Sequence, residues 1–218
     1  MGMWTAFVEL LQAMLGTATQ VFGGNLAAGI IAASLTLRLA LLPLTYRMAR
    51  ASQRRAALLR ELQPELQRLQ ARYRKDPARL MTEHQALFRR HGLSLVDGRS
   101  LLGGLVQTPI VLGMYTAVRH AISGAAGGRF LWIQNITRPD PLLAILVASL
   151  TYAMMQLSPQ LHQQGSQLLV LVPAVITFVF LLKLSAGFGL YWGASTLVGT
   201  VQNLMLNRAP WRRALPKS

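Results

Sequence analysis

Five apolar segments, each near the length of a membrane-spanning helix, dominate the sequence. They run over about Leu26–Tyr46, Leu101–Val118, Leu142–Leu157, Leu168–Leu184 and Leu190–Leu206. A helix needs about 20 mostly apolar residues to cross ~30 Å of hydrocarbon, and the third and fourth segments are at the short end of the range. Only 13% of the residues are charged, against about 25% in soluble domains. We therefore predict an all-α, polytopic membrane protein with five transmembrane helices.

The first apolar segment carries an arginine near its middle. It reads "SLTLRLALLPLTYR" over residues 34–47, with Arg38 at its fifth position. An arginine at the centre of a spanning helix costs roughly 2.5–3.5 kcal/mol on insertion scales. None of the seven acidic residues falls within a predicted span, so a pair between Arg38 and a loop carboxylate needs a long reach. We expect a hydrated cavity facing the cytoplasm, and snorkelling of Arg38 to the cytoplasmic interface is the main alternative.

The distribution of charged residues predicts how the rest of the chain is divided into segments and how the protein is oriented in the membrane. We predict an interfacial amphipathic helix at 1–24, the first span at 25–46, a helical hairpin at 47–99, spans two to five at 100–207, and a basic tail at 208–218. The hairpin has thirteen Lys and Arg against five acids, whereas residues 1–24 have no basic residue. The positive-inside rule therefore places the hairpin and the tail in the cytoplasm and the N-terminus outside.

Apolar residues recur at helical spacing in both arms of the predicted hairpin. They are Leu62, Leu66, Leu69 and Tyr73 in the first arm, and Leu80, Met81, His84, Leu87 and Phe88 in the second. "KDP" at 75–77 stands between the arms and is typical of a helix break. The pattern predicts two antiparallel helices that pack on each other outside the bilayer.

Residues 1–24 show an apolar stripe at helical spacing. The stripe comprises Trp4, Phe7, Val8, Leu11, Met14, Leu15, Ala18 and Phe22. Such a pattern is typical of a helix in the plane of the membrane interface, and packing of the stripe on the protein itself explains it equally well. There is neither a basic n-region nor an Ala-x-Ala site, so we expect no cleaved signal peptide.

The residue types needed for enzymatic chemistry are absent from the predicted spans. The chain has no cysteine, and no histidine pair has metal-ligand spacing. No serine in a span has a histidine partner or lies in a Gly-x-Ser-x-Gly motif, and there is no phosphate-binding loop. We therefore expect no enzymatic activity, no cofactor and no metal. The polar residues within the spans are Thr36, Arg38, Gln107, Thr108, Tyr152, Gln156, Tyr191, Trp192, Ser195, Thr196, Gln202 and Asn203. Taken singly, each of these residues except Arg38 is explained by hydrogen bonding between transmembrane helices.

The order of several motifs resembles the YidC insertase family, which includes mitochondrial oxidase-assembly and chloroplast relatives. The motifs are Arg38 followed by "LLPLT", "LQPELQRLQARY", "QTPI", "FLWIQNITRPDP" and "GLYWGASTLVGTVQN". The resemblance implies a five-helix membrane core with a cytoplasmic hairpin, and a hydrophilic groove that holds one arginine. It assigns Arg38, Gln107, Tyr191 and Trp192 to that groove. The sequence departs from the family pattern at "VDGRSLLGGLVQTP" and at "SAGFG", which we read as a tight turn.

The resemblance also implies a function. We expect a membrane protein insertase or chaperone of the bacterial plasma membrane that passes nascent membrane segments through a groove open to cytoplasm and lipid, without nucleotide hydrolysis of its own. We assign Thr36, Arg38, Gln107, Thr108, Tyr152, Gln156, Tyr191, Trp192, Ser195, Thr196 and Gln202 to the groove. The expected partners are nascent membrane proteins and the lipid bilayer. The ribosome and the Sec translocon are further candidates, and DNA is not. A small anion channel or carrier, or a structural assembly factor beside a translocon, are the alternatives.

Overall fold

Seven α-helices make up the described part of the chain, which in this computed structural model comprises residues 2–94, 98–124, 128–157 and 167–208. They are α1 (Met3–Val21), α2 (Leu26–Arg72), α3 (Pro77–Arg90), α4 (Gly98–Ser123), α5 (Pro141–Gln156), α6 (Gln167–Leu181) and α7 (Ala186–Arg208). Within those ranges the β-type pairing is confined to one isolated bridge between Phe130 and Ile133. The predicted all-α class is confirmed. The hairpin exit at 95–97 and the tail beyond residue 208 lie outside the described residues.

Helix α2 joins the predicted first span to the first arm of the hairpin without a break. Its 47 residues correspond to a length of about 70 Å at ~1.5 Å per residue. The side chain of Asn25 caps its start by accepting a hydrogen bond from the backbone N–H of Ala28, at 3.1 Å. By length and composition, α2 is the one described helix that could cross a membrane, and α5 and the Val170–Leu181 part of α6 are shorter apolar helices.

Helices α2 and α3 form a helical hairpin around the "KDP" sequence. Helix α2 ends at Arg72, and the Asp76 side chain caps α3 by accepting from the backbone N–H of Arg79 at 3.0 Å. Pro77 occupies the first helical position, where its missing N–H costs no hydrogen bond. Leu62 and Leu87 are buried, and α3 packs on α2.

Met81 does not belong to the packed face of α3, contrary to the sequence prediction. Its side chain is 61% exposed, whereas Leu80, one residue earlier, is half-buried. Consecutive residues of a helix point about 100° apart, so a narrow contact between two helices can hold one of the two and leave the other in solvent. The apolar spacing of α3 thus predicted a wider packed face than the hairpin has.

The apolar stripe of α1 packs on the helical bundle, against α2 and α4. Val8, Leu11 and Leu15 are buried, and α1 contacts α2 and α4. Gly113 of α4 makes this contact possible, because a Cβ there would lie 2.7 Å from side-chain atoms of both Phe7 and Leu11. Packing on the protein, the second explanation given for the stripe, therefore applies to its central residues. The predicted location of α1 in the membrane interface stays a prediction.

Helices α4 to α7 complete the bundle around a core centred on α7. Phe188 and Tyr191 are almost fully buried, and the ring of Phe188 stacks edge-on against that of Tyr115 with centroids 5.4 Å apart. The opposite faces of α5, α6 and α7 leave large apolar side chains exposed. Among them are Leu142, Ile145, Leu146, Leu171, Val172, Val175, Ile176, Val179, Phe180, Leu197 and Val201. A bundle that is apolar on both its inside and its outside is typical of a protein surrounded by lipid.

The sequence "SAGFG" is not the turn that we predicted, because α7 already begins at Ala186. The turn lies earlier, at residues 182–185. The backbone N–H groups that the first turn of a helix leaves free find acceptors here. Ala186 donates to the carbonyl of Arg138 at 2.8 Å, Gly187 donates to that of Ile136 at 2.9 Å, and the next two N–H groups donate to the carbonyl of Ser185. Glycines that suggested a turn therefore lie within the first helical turn.

Candidate functional site

A cavity of about 350 Å³ lies where five of the helices meet. Helices α2, α4, α5, α6 and α7 each contribute to its wall. The lining residues are Arg38, Gln107, Val111, Thr151, Met154, Met155, Pro173, Thr177, Tyr191, Trp192, Ser195, Thr196 and Gly199. Six of the eleven predicted groove residues are among them, namely Arg38, Gln107, Tyr191, Trp192, Ser195 and Thr196. Residues far apart in the sequence thus converge on the arginine that the sequence singles out.

Arg38 is half-buried and turns its guanidinium towards the side chain of Gln107. Its Nη1 donates to Oε1 of Gln107 at 3.4 Å, which is long for a hydrogen bond. Its Nε is buried and has no hydrogen-bond partner among the residues that the structure describes. The side-chain amide of Gln107 thus contributes to solvating this charge. Arg38 lines the cavity, so its guanidinium can meet water or an anionic group there.

Helix α7 supplies the most polar wall of the cavity. Tyr191, Trp192, Ser195 and Thr196 stand at spacings of one, three and four residues, so they share one face of the helix. The Tyr191 hydroxyl and the Ser195 Oγ are buried one helical turn apart and interact with each other, but neither makes a hydrogen bond of ordinary geometry in the described part of the chain. The Thr196 hydroxyl donates to the carbonyl of Trp192 at 2.9 Å. Since buried polar groups in proteins are generally hydrogen-bonded, these atoms make the cavity a place for water or for a polar ligand.

Helices α5 and α6 form the opposite and more apolar wall. Met154 and Met155 lie there with Pro173 and two threonines, Thr151 and Thr177. Methionine side chains are flexible and polarizable, and they adapt to partners of different shape. Neither threonine was predicted from the sequence to lie in the groove. Thr177 had a signal, because its hydroxyl is the one polar side chain between Val170 and Leu181.

Five predicted groove residues lie outside the cavity wall. They are Thr36, Thr108, Tyr152, Gln156 and Gln202. The Thr36 hydroxyl donates to the carbonyl of Ala32 on its own helix at 2.9 Å, and Gln156 donates to the Tyr152 hydroxyl at 2.7 Å on the exposed face of α5. Gln202 instead joins α7 to α2, because its Oε1 accepts from the Thr45 hydroxyl at 3.1 Å. A participation of these residues in substrate passage stays a prediction.

The chain is similar to known membrane proteins over most of its length. The sequence model of a family described as "60Kd inner membrane protein" matches residues 17–212. A protein of Wolinella succinogenes named membrane protein insertase YidC is 29% identical over 191 residues, which cover 86% of this chain and 34% of that relative. The protein of the same name in Clostridium tetani is 27% identical over 192 residues, covering 86% of this chain and 84% of the relative.

A third relative matches a similar share of this chain at a slightly higher identity. Membrane protein insertase YidC 1 of Streptococcus pyogenes is 31% identical over 194 residues, which cover 85% of this chain and 68% of the relative. The chain spans about a third of the length of the Wolinella protein and of several other relatives that it matches.

Proposed function

Because the chain belongs to the 60Kd inner membrane protein family, we propose that it is a membrane protein insertase of the bacterial inner membrane. Relatives over the same region carry the name membrane protein insertase. The observation on which the proposal rests is the cavity around Arg38, a mostly apolar space that holds one positive charge and a few polar groups and is enclosed by helices whose outer faces are apolar. Nascent membrane segments and the lipid bilayer are its partners, and nucleotide hydrolysis has no part in the process.

The proposed topology has five spans, formed by the first part of α2 and by α4, α5, α6 and α7. The hairpin of α2 and α3 and the basic tail lie in the cytoplasm, and the N-terminus lies outside. The exposed apolar side chains of α5 to α7 support contact with lipid. The thirteen basic residues at 47–99 support a cytoplasmic hairpin.

The cavity shortens the path that a polar segment must take through hydrocarbon. A newly made membrane segment carries a polar flank, and moving polar groups into a dry apolar medium without hydrogen bonds costs several kcal/mol per group. Water held by Arg38, Tyr191 and Ser195 replaces part of that medium. Because Arg38 carries a fixed positive charge, it also attracts acidic residues in the flank.

The bundle is proposed to open sideways between α4 and α6. Helix α4 packs mainly on α1, α2 and α7, whereas α6 packs mainly on α5 and only slightly on α7. The two helices thus both line the cavity, and their described residues lack an extensive contact with each other. An apolar segment can leave the cavity through such a gap and enter the lipid, driven by the burial of its own apolar surface.

Helices α5 and α6 are proposed to thin the bilayer beside the cavity. The 16 residues of α5 and the 15 described residues of α6 correspond to about 24 and 22 Å. A hydrocarbon core of ~30 Å exceeds both lengths, and a mismatch of this kind is relieved in part by local thinning. A thinner bilayer leaves less hydrocarbon between the cavity and the far side of the membrane.

Reconstitution of the pure protein separates this proposal from its alternatives. Vesicles that contain only this chain should insert a small single-span client, measured by protease protection, and should show no flux of small anions above that of protein-free vesicles. Anion flux without insertion would support a channel or carrier. Insertion that appears only after a translocon is added would support an assembly factor.

Site-specific crosslinking tests whether the client passes through the cavity. Val111 and Leu112 are neighbours on α4, but Val111 lines the cavity whereas Leu112 is half exposed on another face. A photoreactive residue at Val111 should capture a client arrested during insertion, and the same residue at Leu112 serves as the matched control. Equal capture at the two positions would show contact with the protein surface rather than passage through the cavity.

A further inference from the structure

The segment between α4 and α5 contains a closed turn with two large apolar residues at its tip. Phe130 and Ile133 exchange both of their backbone hydrogen bonds, at 2.9 and 2.8 Å. Leu131 and Trp132 form the tip, where their side chains are 78% and 44% exposed. The turn therefore holds an aliphatic and an aromatic side chain outside the packed core.

The backbone of this turn is strained at Leu131. Its φ is +50°, and among the described residues it is the one non-glycine residue with a positive φ. A side chain with a Cβ is disfavoured in this region, where glycine, asparagine and aspartate are far better tolerated. A fold that only needed a turn here would gain stability from one of those residues. Strain that persists at an exposed apolar residue points to a function for the side chain.

The base of the turn is fixed firmly to the bundle. Ile133 and Ile136 are buried, and the N–H of Ile136 donates to the carbonyl of Gly128 at 3.0 Å. The carbonyls of Ile136 and Arg138 accept hydrogen bonds from the first turn of α7. The tip consequently keeps a constant position relative to α7.

The tip also adjoins the start of α5. The indole N–H of Trp132 approaches Oδ1 of Asp140 at 3.4 Å, and the same carboxylate caps α5 by accepting from the N–H of Leu143 at 2.7 Å. In the first two turns of α5, Leu142, Ile145 and Leu146 are exposed. The apolar tip thus lies beside the start of the helix whose outer face is apolar.

We propose that the Phe130–Ile133 turn is an anchor that binds the outer interface of the lipid bilayer, and this proposal rests on the topology given above. Leu131 enters the acyl-chain region, and Trp132 lies at headgroup level, where an amphipathic indole is favoured. Arg129 and Arg138 flank the turn and are exposed, so they can pair with lipid phosphates. Since the turn is joined to both α5 and α7, the anchor sets the height of the cavity within the bilayer.

Spin labels at single cysteines test this anchor in the full chain. The protein has no native cysteine, so Leu131→Cys gives one labelling site. Gln134→Cys is the matched control, because Gln134 is exposed in the same segment but polar. In phosphatidylcholine–phosphatidylglycerol vesicles, the label at 131 should be reached by dissolved oxygen and shielded from a water-soluble nickel chelate. The label at 134 should show the opposite preference. Aqueous behaviour at both positions would overturn the anchor.

The topology is tested separately with the same control variant. In intact cells, Gln134→Cys should react with an impermeant thiol reagent applied from outside. If it does not react, the proposed topology fails, and the anchor in the outer interface fails with it. If it reacts while the label at 131 is aqueous, the topology stands and the anchor alone is wrong. Dipolar broadening between labels at 131 would identify a second copy of the chain as the occupant and would equally overturn the lipid anchor.

A glycine variant separates anchoring from folding. Leu131→Gly removes the strained Cβ, so its thermal midpoint in detergent should be no lower than that of the wild type. A spin label at Trp132→Cys should nevertheless move towards water when Leu131→Gly is added, because the aliphatic contact with lipid is lost. An unchanged depth would show that Leu131 does not hold the turn in the bilayer. A lowered thermal midpoint would show that Leu131 stabilises the fold itself.

Discussion

The charge of Arg38 should matter most for clients whose polar flank is acidic. Arg38 is half-buried beside a cavity, and its charge has no acidic partner among the residues that line that cavity. For two unit charges about 6 Å apart, an effective dielectric constant between ~20 and ~80 gives an attraction of roughly 0.7 to 2.8 kcal/mol. At about 1.36 kcal/mol per tenfold change in rate, this range corresponds to a roughly 3- to 100-fold effect. Because Arg38 is half-buried, between the two limits, we expect about tenfold.

The assay compares two clients that differ only in their flank. Arg38→Ala should lower the initial rate of insertion about tenfold for a client with an acidic flank, and much less for the same client with an uncharged flank. Arg38→Lys keeps the charge but loses the planar set of donors, so it should retain much of the activity. The Arg38→Ala protein should itself be no less stable, since removing a charge from the span eases its insertion by up to ~3 kcal/mol.

Equal and near-normal insertion of both clients by Arg38→Ala would refute a mechanism based on this charge, and it would favour the alternative in which Arg38 merely reaches the interface. A water-filled cavity lined by Gln107 and Ser195 would survive that result. As a control for net charge, Arg89→Ala removes one exposed basic residue from the hairpin and should leave the ratio between the two clients unchanged.

Three further predictions concern topology, the hairpin and the packing of α7. A cysteine at Ser52 should be shielded from an impermeant thiol reagent outside intact cells, and labelling there would contradict a cytoplasmic hairpin. Leu66→Asp combined with Leu69→Asp should loosen the hairpin and slow insertion in vesicles while the membrane core remains folded; unchanged insertion would show that the hairpin does not guide clients. Gly187→Ala should lower the thermal midpoint in detergent slightly, at a cost of about 1 kcal/mol in stability, because its Cβ would lie 2.7 Å from the side-chain end of Ile122 on α4, which must shift. Gly16→Ala, where a Cβ meets nothing within 4 Å, should have no such effect.

The sequence by itself determined the features that depend on local chemistry. Apolar runs and the spacing of leucines predicted the helices, because hydropathy and the helical period act within a few turns of chain. Asp76 and Pro77 predicted the hairpin turn, since a cap and a proline at the first helical position are short-range signals. Arg38 was identified as the unusual residue because the cost of a charge in a span depends on its own segment.

Tertiary structure alone decided which polar residues meet Arg38. Gln107 and Ser195 line the cavity, whereas Thr108 and Gln202 do not. One residue along a helix changes the direction of a side chain by about 100°, so the rotation of each helix in the bundle selects the lining residues.

The same dependence on distant contacts explains the start of α7. Ala186 and Gly187 are helical because carbonyls some fifty residues earlier in the chain accept their N–H groups. Rotation of a helix and pairing with distant carbonyls are set by packing across the whole bundle, and no local stretch of the sequence carries that information.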